Sequence, residues 1–77
     1  MPTLELYSAP WCPFCRKVLR FMDERGIELP IRDYDIPENR AFLIENGGKA
    51  QIPCLFIDGK ALYESDDIIA YLGRLFG

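Results

Sequence analysis

The chain has 77 residues, 49% of them hydrophobic and 27% charged, with a net charge of −3. That is the composition of one small globular domain: too apolar for disorder and too short for two domains, so a single domain over 1–77 is expected. No apolar run reaches the ~18–20 residues of a membrane span, and the acidic balance argues against a nucleic-acid partner.

In chain order, Thr3 to Tyr7 is a short strand and Ser8 to Trp11 a loop. From Pro13 to Arg25 the apolar residues Phe14, Cys15, Val18, Leu19, Phe21 and Met22 fall at helical spacing, with Arg16, Lys17, Arg20, Asp23 and Glu24 mostly opposite. Pro13 suits the first helical turn and Gly26 the C-terminal cap. Ile27 to Asp35 reads as a second strand. A second helix starts at Pro37, uses Ala41, Phe42, Leu43 and Ile44, and stops at Gly47-Gly48. Ile52 to Ile57 is a strand, Asp58-Gly59 a hairpin turn, and Lys60 to Tyr63 the return strand. Ser65 then caps a last helix, with Asp66 and Asp67 at its positive end and Ile68, Ile69, Tyr71, Leu72 and Leu75 turned inward. A strand–helix–strand half followed by a helix, a hairpin and a last helix gives an α/β fold, a four-stranded mixed sheet with three helices (βαβαββα), whose first crossover is parallel and right-handed.

The chemistry concentrates in Cys12-Pro13-Phe14-Cys15. Helix positions three apart have Cβ atoms ~5–6 Å from each other, a small adjustment away from the ~3.5–4.5 Å of a disulfide. Cys12 lies at the helix N-terminus, where free N–H groups and the helix dipole favour a thiolate, and the thiolate is the attacking species. Arg16 and Lys17 add positive charge one turn on. Cys15 falls on the apolar face with Val18, Leu19 and Met22. The asymmetry assigns roles: Cys12 attacks, and Cys15 resolves the mixed disulfide or protonates the leaving sulfur. The competing use of such a pair is half of a zinc site, but four Cys or His ligands are normal there, only Cys54 remains, and the chain has no histidine. No metal is expected. Three cysteines are also too few for a disulfide scaffold. With no basic region and apolar stretch at the N-terminus to mark a signal peptide, the pair points to a reducing compartment and a cytoplasmic location.

Two further segments bear on the site. Pro53, before the third strand, is either a plain strand-start signal or, beside a Cys-x-x-Cys, a cis-proline loop packed against the redox pair. In the second case the Ile52 N–H and C=O are free to pair with a substrate cysteine in strand fashion. Ser65-Asp66-Asp67 is an ordinary acidic helix start. A helix N-terminus also suits a carboxylate and an aspartate suits an ammonium, and a γ-glutamyl group carries both. Cys54 reads as a small buried hydrophobe of the sheet.

Taken together, Leu6 through Cys15, Ile52-Pro53 and Ser65-Asp66-Asp67 resemble the glutaredoxin family, in order and spacing over essentially the whole chain. The segment from Leu62 to Leu72 also looks like the end of a glutathione transferase N-terminal domain. The resemblance implies a thioredoxin-like fold, glutathione as cosubstrate, and reduction of disulfide-bonded or glutathionylated proteins by a monomer. By position it implies Cys12 as nucleophile and Cys15 as resolving thiol. It also implies that the Ile52 backbone holds the cysteinyl part of glutathione, that Ser65 and Asp66 hold the γ-glutamyl end, and that Gln51 or Arg40 reaches the glycyl carboxylate. Three positions depart from the family pattern: Ala9 where a Lys is common, Phe14 for the usual Tyr, and Tyr63-Glu64 for a Gly-Gly pair. Glu64 with Ser65 would instead bind the γ-glutamyl group in the transferase manner. Two alternatives use the same residues: an electron donor reduced by a thioredoxin reductase, and a carrier whose iron–sulfur cluster is held by Cys12 and glutathione from two chains. Pro13, which stiffens the helix start and removes an N–H, argues against the carrier.

Overall fold

The computed structural model describes residues 2–77; Met1, the first residue of the expected 1–77 domain, lies outside them. The elements are β1 (Leu4–Ser8), α1 (Pro13–Arg25), β2 (Ile31–Asp33), α2 (Pro37–Gly47), β3 (Cys54–Ile57), β4 (Lys60–Leu62) and α3 (Ser65–Phe76). The sheet order is β2-β1-β3-β4. β1 and β2 run parallel, while β3 pairs antiparallel with both β1 and β4. This is the thioredoxin-like arrangement. No helix among the described residues is long and apolar enough to cross a membrane.

Strand alternation divides the core into two layers. Leu6 faces Leu55 and Leu55 faces Leu62 in register. With Leu4 they form one sheet face, which packs on Val18 and Met22 of α1 and Ile68 and Leu72 of α3. Tyr7, Cys54 and Phe56 form the other face, under Leu43 of α2. The Asp58-Gly59 turn has positive φ at both residues, 49° and 85°, which joins β3 and β4 with the right twist. At the end of α1, Gly26 takes φ 65°, and the following Ile27 N–H returns to the Met22 carbonyl at 2.8 Å. Ile27 is thereby drawn into the core.

Four expectations change. The second strand is only Ile31–Asp33, not Ile27–Asp35, because Ile27 belongs to the α1 cap and the segment to Pro30 crosses to the sheet edge. β3 starts at Cys54, not Ile52, since Pro53 has no N–H for the ladder. Of the four apolar residues assigned to α2, only Leu43 is buried; Ala41, Phe42 and Ile44 are exposed. Consecutive helical positions are 100° apart and cannot share one face. Finally, Ser65 is not the cap of α3 but its first, buried residue. Glu64 stands before it at φ 72°, and no side chain caps the helix.

Candidate active site

β1 delivers the chain through Ala9–Trp11 to Cys12, the N-cap of α1. Cys12 Sγ accepts the Cys15 N–H at 3.4 Å, and the first turn of α1 carries no acidic residue to compete with a thiolate. On its other side the sulfur lies 3.9 Å from the Ile52 carbonyl, and Ile52 precedes Pro53 in a cis peptide bond. Cys15 is completely buried beside Ala9 and Cys12. Burial, reinforced by the neighbouring Cys12 side chain, pushes the Cys15 thiol up to about 12. At neutral pH it therefore keeps its proton. The cations expected to serve the thiolate are engaged elsewhere: Arg16 donates to the Pro10 carbonyl at 3.0 Å, and Lys17 pairs with Asp66.

Beside Cys12 opens a cleft of about 410 Å³, within the ~300–1,000 Å³ of small-molecule sites. Phe14 and Lys17 form one wall, the Gln51-Ile52-Pro53 loop the floor, and Glu64, Ser65 and Asp66 the far wall. Gln51 Nε2 donates to Glu64 Oε1 at 3.3 Å. The structure thus brings Gln51, Ile52, Pro53, Glu64, Ser65 and Asp66 to one cavity, whose loop touches Cys12 through Ile52. Arg40 is not part of it; its guanidinium donates to the Tyr34 carbonyl at 3.1 Å and lies 5.5 Å over the Tyr34 ring. Phe14 and Lys17 were not assigned to the cleft from sequence, although their i, i+3 spacing puts them on one side of α1. Cys54 is fully buried on the α2 side of the sheet with Tyr7, Leu43 and Phe56, in a different cluster from Cys12. Burial raises its thiol to about 11. All three thiols are free. Among the described residues, no group of three or more metal-ligating side chains is close enough to hold an ion.

Residues 6–77 match the family described as glutathione S-transferase, N-terminal domain. A probable glutaredoxin of Synechocystis is 32% identical over 72 residues, which is 91% of this chain and 82% of that protein. The chain belongs to the glutathione S-transferase N-terminal domain family and, by this relative, to the glutaredoxins. Glutaredoxin 1 of Rickettsia typhi is 29% identical over 69 residues, 86% of this chain; the match spans only 66% of that relative's length. An Omega-class glutathione transferase from Trametes versicolor superposes with a TM-score of 0.82 at 23% identity, over 95% of this chain and 33% of that one. This glutaredoxin-type chain therefore spans about a third of the transferase it matches in fold. Cys12, Cys15, the cis-proline loop and the start of α3 all fall within the residues 6–77 that match the family.

Proposed function

We propose that the chain is a glutathione-dependent thiol–disulfide oxidoreductase, a single domain acting as a cytoplasmic monomer on protein disulfides and glutathione mixed disulfides. The observation that carries this reading is the position of Cys12 Sγ, at the N-terminus of α1 and at the edge of a cleft that suits a charged tripeptide. Glutathione lies with its cysteinyl backbone along Ile52. Its γ-glutamyl ammonium meets Asp66 and Glu64, its α-carboxylate meets the uncapped N-terminus of α3 at Ser65, and Gln51 reaches the glycyl end.

With a glutathionylated protein, the Cys12 thiolate attacks the glutathione sulfur. The Cys12–glutathione disulfide forms, and the protein sulfur leaves as a thiolate and takes up a proton. A second glutathione thiolate attacks the glutathione sulfur of that intermediate, releasing oxidised glutathione and restoring the Cys12 thiolate. The sum is one mixed disulfide and one glutathione giving one protein thiol and oxidised glutathione. With a protein disulfide, Cys12 attacks one sulfur to form a mixed disulfide and the other substrate sulfur leaves as a thiol; Cys15 then attacks the Cys12 sulfur, and its proton passes to the second substrate sulfur as it leaves. Two glutathiones then reduce the Cys12–Cys15 bond.

The test is a coupled assay with glutathione reductase, following NADPH loss with a glutathionylated peptide. Cys12→Ser should abolish turnover and Cys15→Ser should keep it, whereas reduction of a protein disulfide should need both cysteines. Equal loss in the two variants on the glutathionylated peptide would remove the assignment of roles.

A further inference from the structure

The two sides of Cys12 are unlike. β1 leads to Cys12, β3 adjoins it on one edge and β2 on the other. The proposed glutathione cleft lies on the β3 side, with Ile52 and the start of α3. On the β2 side stands Trp11, next to Cys12 in sequence and 56% exposed. Its indole N–H donates to both oxygens of Asp35, at 3.0 and 2.9 Å. Its ring meets Tyr34 edge-on, with centroids 6.2 Å apart. Asp35 is itself fixed, since its N–H donates to Asp33 Oδ1 at 2.9 Å. An exposed tryptophan held in one orientation by a carboxylate and a neighbouring ring is a rigid platform with a free face. Donation of the N–H to a full negative charge pushes electron density into the ring, and tryptophan is already the best cation–π partner. Asp33 and Asp35 are both exposed, while the cations nearby are taken up: Arg40 by the Tyr34 carbonyl and ring, Arg16 by the Pro10 carbonyl.

We infer that Trp11 and Asp35 form a subsite for an arginine or lysine next to the reacting cysteine of a polypeptide substrate, so that the protein selects cysteines in basic surroundings. The inference rests on the oxidoreductase reading above. A substrate sulfur bonded to glutathione must reach Cys12 while the glutathione fills the β3 side, which leaves the substrate chain to run over the β2 side. There its first charged side chain meets the indole face and the Asp35 carboxylate. The chemistry is unchanged: Cys12 takes the glutathione from the substrate cysteine, which leaves as a thiol.

The experiment compares two glutathionylated peptides that differ only in the residues flanking cysteine, arginine in one and glutamate in the other, with glutathionylated cysteine as a substrate too small to reach the subsite. At about 50 mM salt, kcat/KM for the arginine peptide should exceed that for the glutamate peptide by about tenfold, and the gap should shrink at about 0.5 M salt. Asp35→Asn, which keeps the shape and an acceptor for the indole, should cut the ratio by about threefold and leave glutathionylated cysteine unaffected. Trp11→Leu should cut it too, through the arginine peptide. If glutathionylated cysteine is turned over but the two peptides react alike, or the ratio survives Asp35→Asn and Trp11→Leu, the subsite is refuted while the oxidoreductase reading stands. If glutathionylated cysteine is not turned over by the wild type, both fall.

Discussion

Cys12 and Cys15 are the same chemical group three residues apart, yet one caps a helix beside a cleft and the other has no exposed surface. Environment alone separates their roles, and it predicts an alkylation order. With iodoacetamide near neutral pH, the folded protein should take one label, at Cys12, while Cys15 and Cys54 should react only with denaturant present. Rapid labelling at Cys15 in the native state, read by peptide mass spectrometry, would contradict this. The pair was legible because its spacing, its proline and the apolar stripe around Cys15 are local. Glu64 was not. A glutamate gives no hint of φ 72°, a region that costs a non-glycine residue roughly 1 kcal/mol or more. Ser65, the better cap by residue type, was the natural choice for the helix start. Strain of this kind at the edge of a cleft invites a test of whether it serves binding. Glu64→Gly removes the strain but loosens the unfolded chain, two effects of ~1 kcal/mol that oppose each other, so thermal stability should change little. The KM for glutathione should rise several-fold, because the carboxylate that Gln51 holds at the cleft is gone. An unchanged KM would show that neither the Glu64 carboxylate nor its backbone conformation serves binding.

Among the elements, those whose apolar residues share a face were easiest to read. α1 and α3 follow their periodicity closely, and each carries its cap or first-turn signals. α2 was located from Pro37 and Gly47-Gly48, but its packing was not legible, since the run Ala41–Ile44 is apolar all round. Leu43 is the one residue of α2 buried in the core, while Phe42 stacks on Tyr7 with centroids 5.8 Å apart and remains 42% exposed. The C-terminal end of α2 depends on a close approach that sequence cannot reveal. A Cβ on Gly47 would lie 2.2 Å from Tyr63 Oη and 3.3 Å from Cζ. Tyr63 is held in turn by donating to the Lys49 carbonyl at 3.1 Å, under the Lys49 ammonium 4.5 Å from its ring. In an open helix Gly→Ala would add ~1 kcal/mol of stability. Here Gly47→Ala should cost about 1–2 kcal/mol instead, as the tyrosine is pushed from its place. In a Tyr63→Phe background, with the hydroxyl removed, most of that penalty should vanish. A double-mutant cycle by urea denaturation measures the coupling, and strict additivity would mean that the clash is relieved elsewhere at no cost.

For the whole molecule, the cleft and the core draw on distant parts of the chain. The cleft walls come from the segments 14–17, 51–53 and 64–66. The Lys17–Asp66 pair joins positions 49 residues apart, which is why that contact could not be anticipated from either residue. The interior carries a second collective property. Burial raises Cys15 to about 12 and Cys54 to about 11 from an ordinary 9.0, and it also raises Tyr7 and Tyr63 above 10.0. Each of these groups is neutral when protonated and holds its proton longer in the folded state than in the unfolded chain. Well below pH 9 these thiols are protonated in both states, so their contribution to stability is fully present. As pH rises from 9 toward 11 and 12 the unfolded chain sheds those protons first, and stability falls by at most ~1.4 kcal/mol per pH unit for each group. With no histidine in the chain, no side chain of ordinary pKa titrates between pH 5 and 8. Because these buried groups release their protons only on unfolding, the urea midpoint, measured with a phosphine reductant to keep the thiols free, should drop steeply above pH 9. Cys54→Ala should lower the midpoint at every pH for want of the sulfur's packing, yet make the alkaline drop shallower, because one of the protons released on unfolding has been removed. An alkaline slope as steep in Cys54→Ala as in the wild type would show that the buried thiol at position 54 is not what couples the fold to pH.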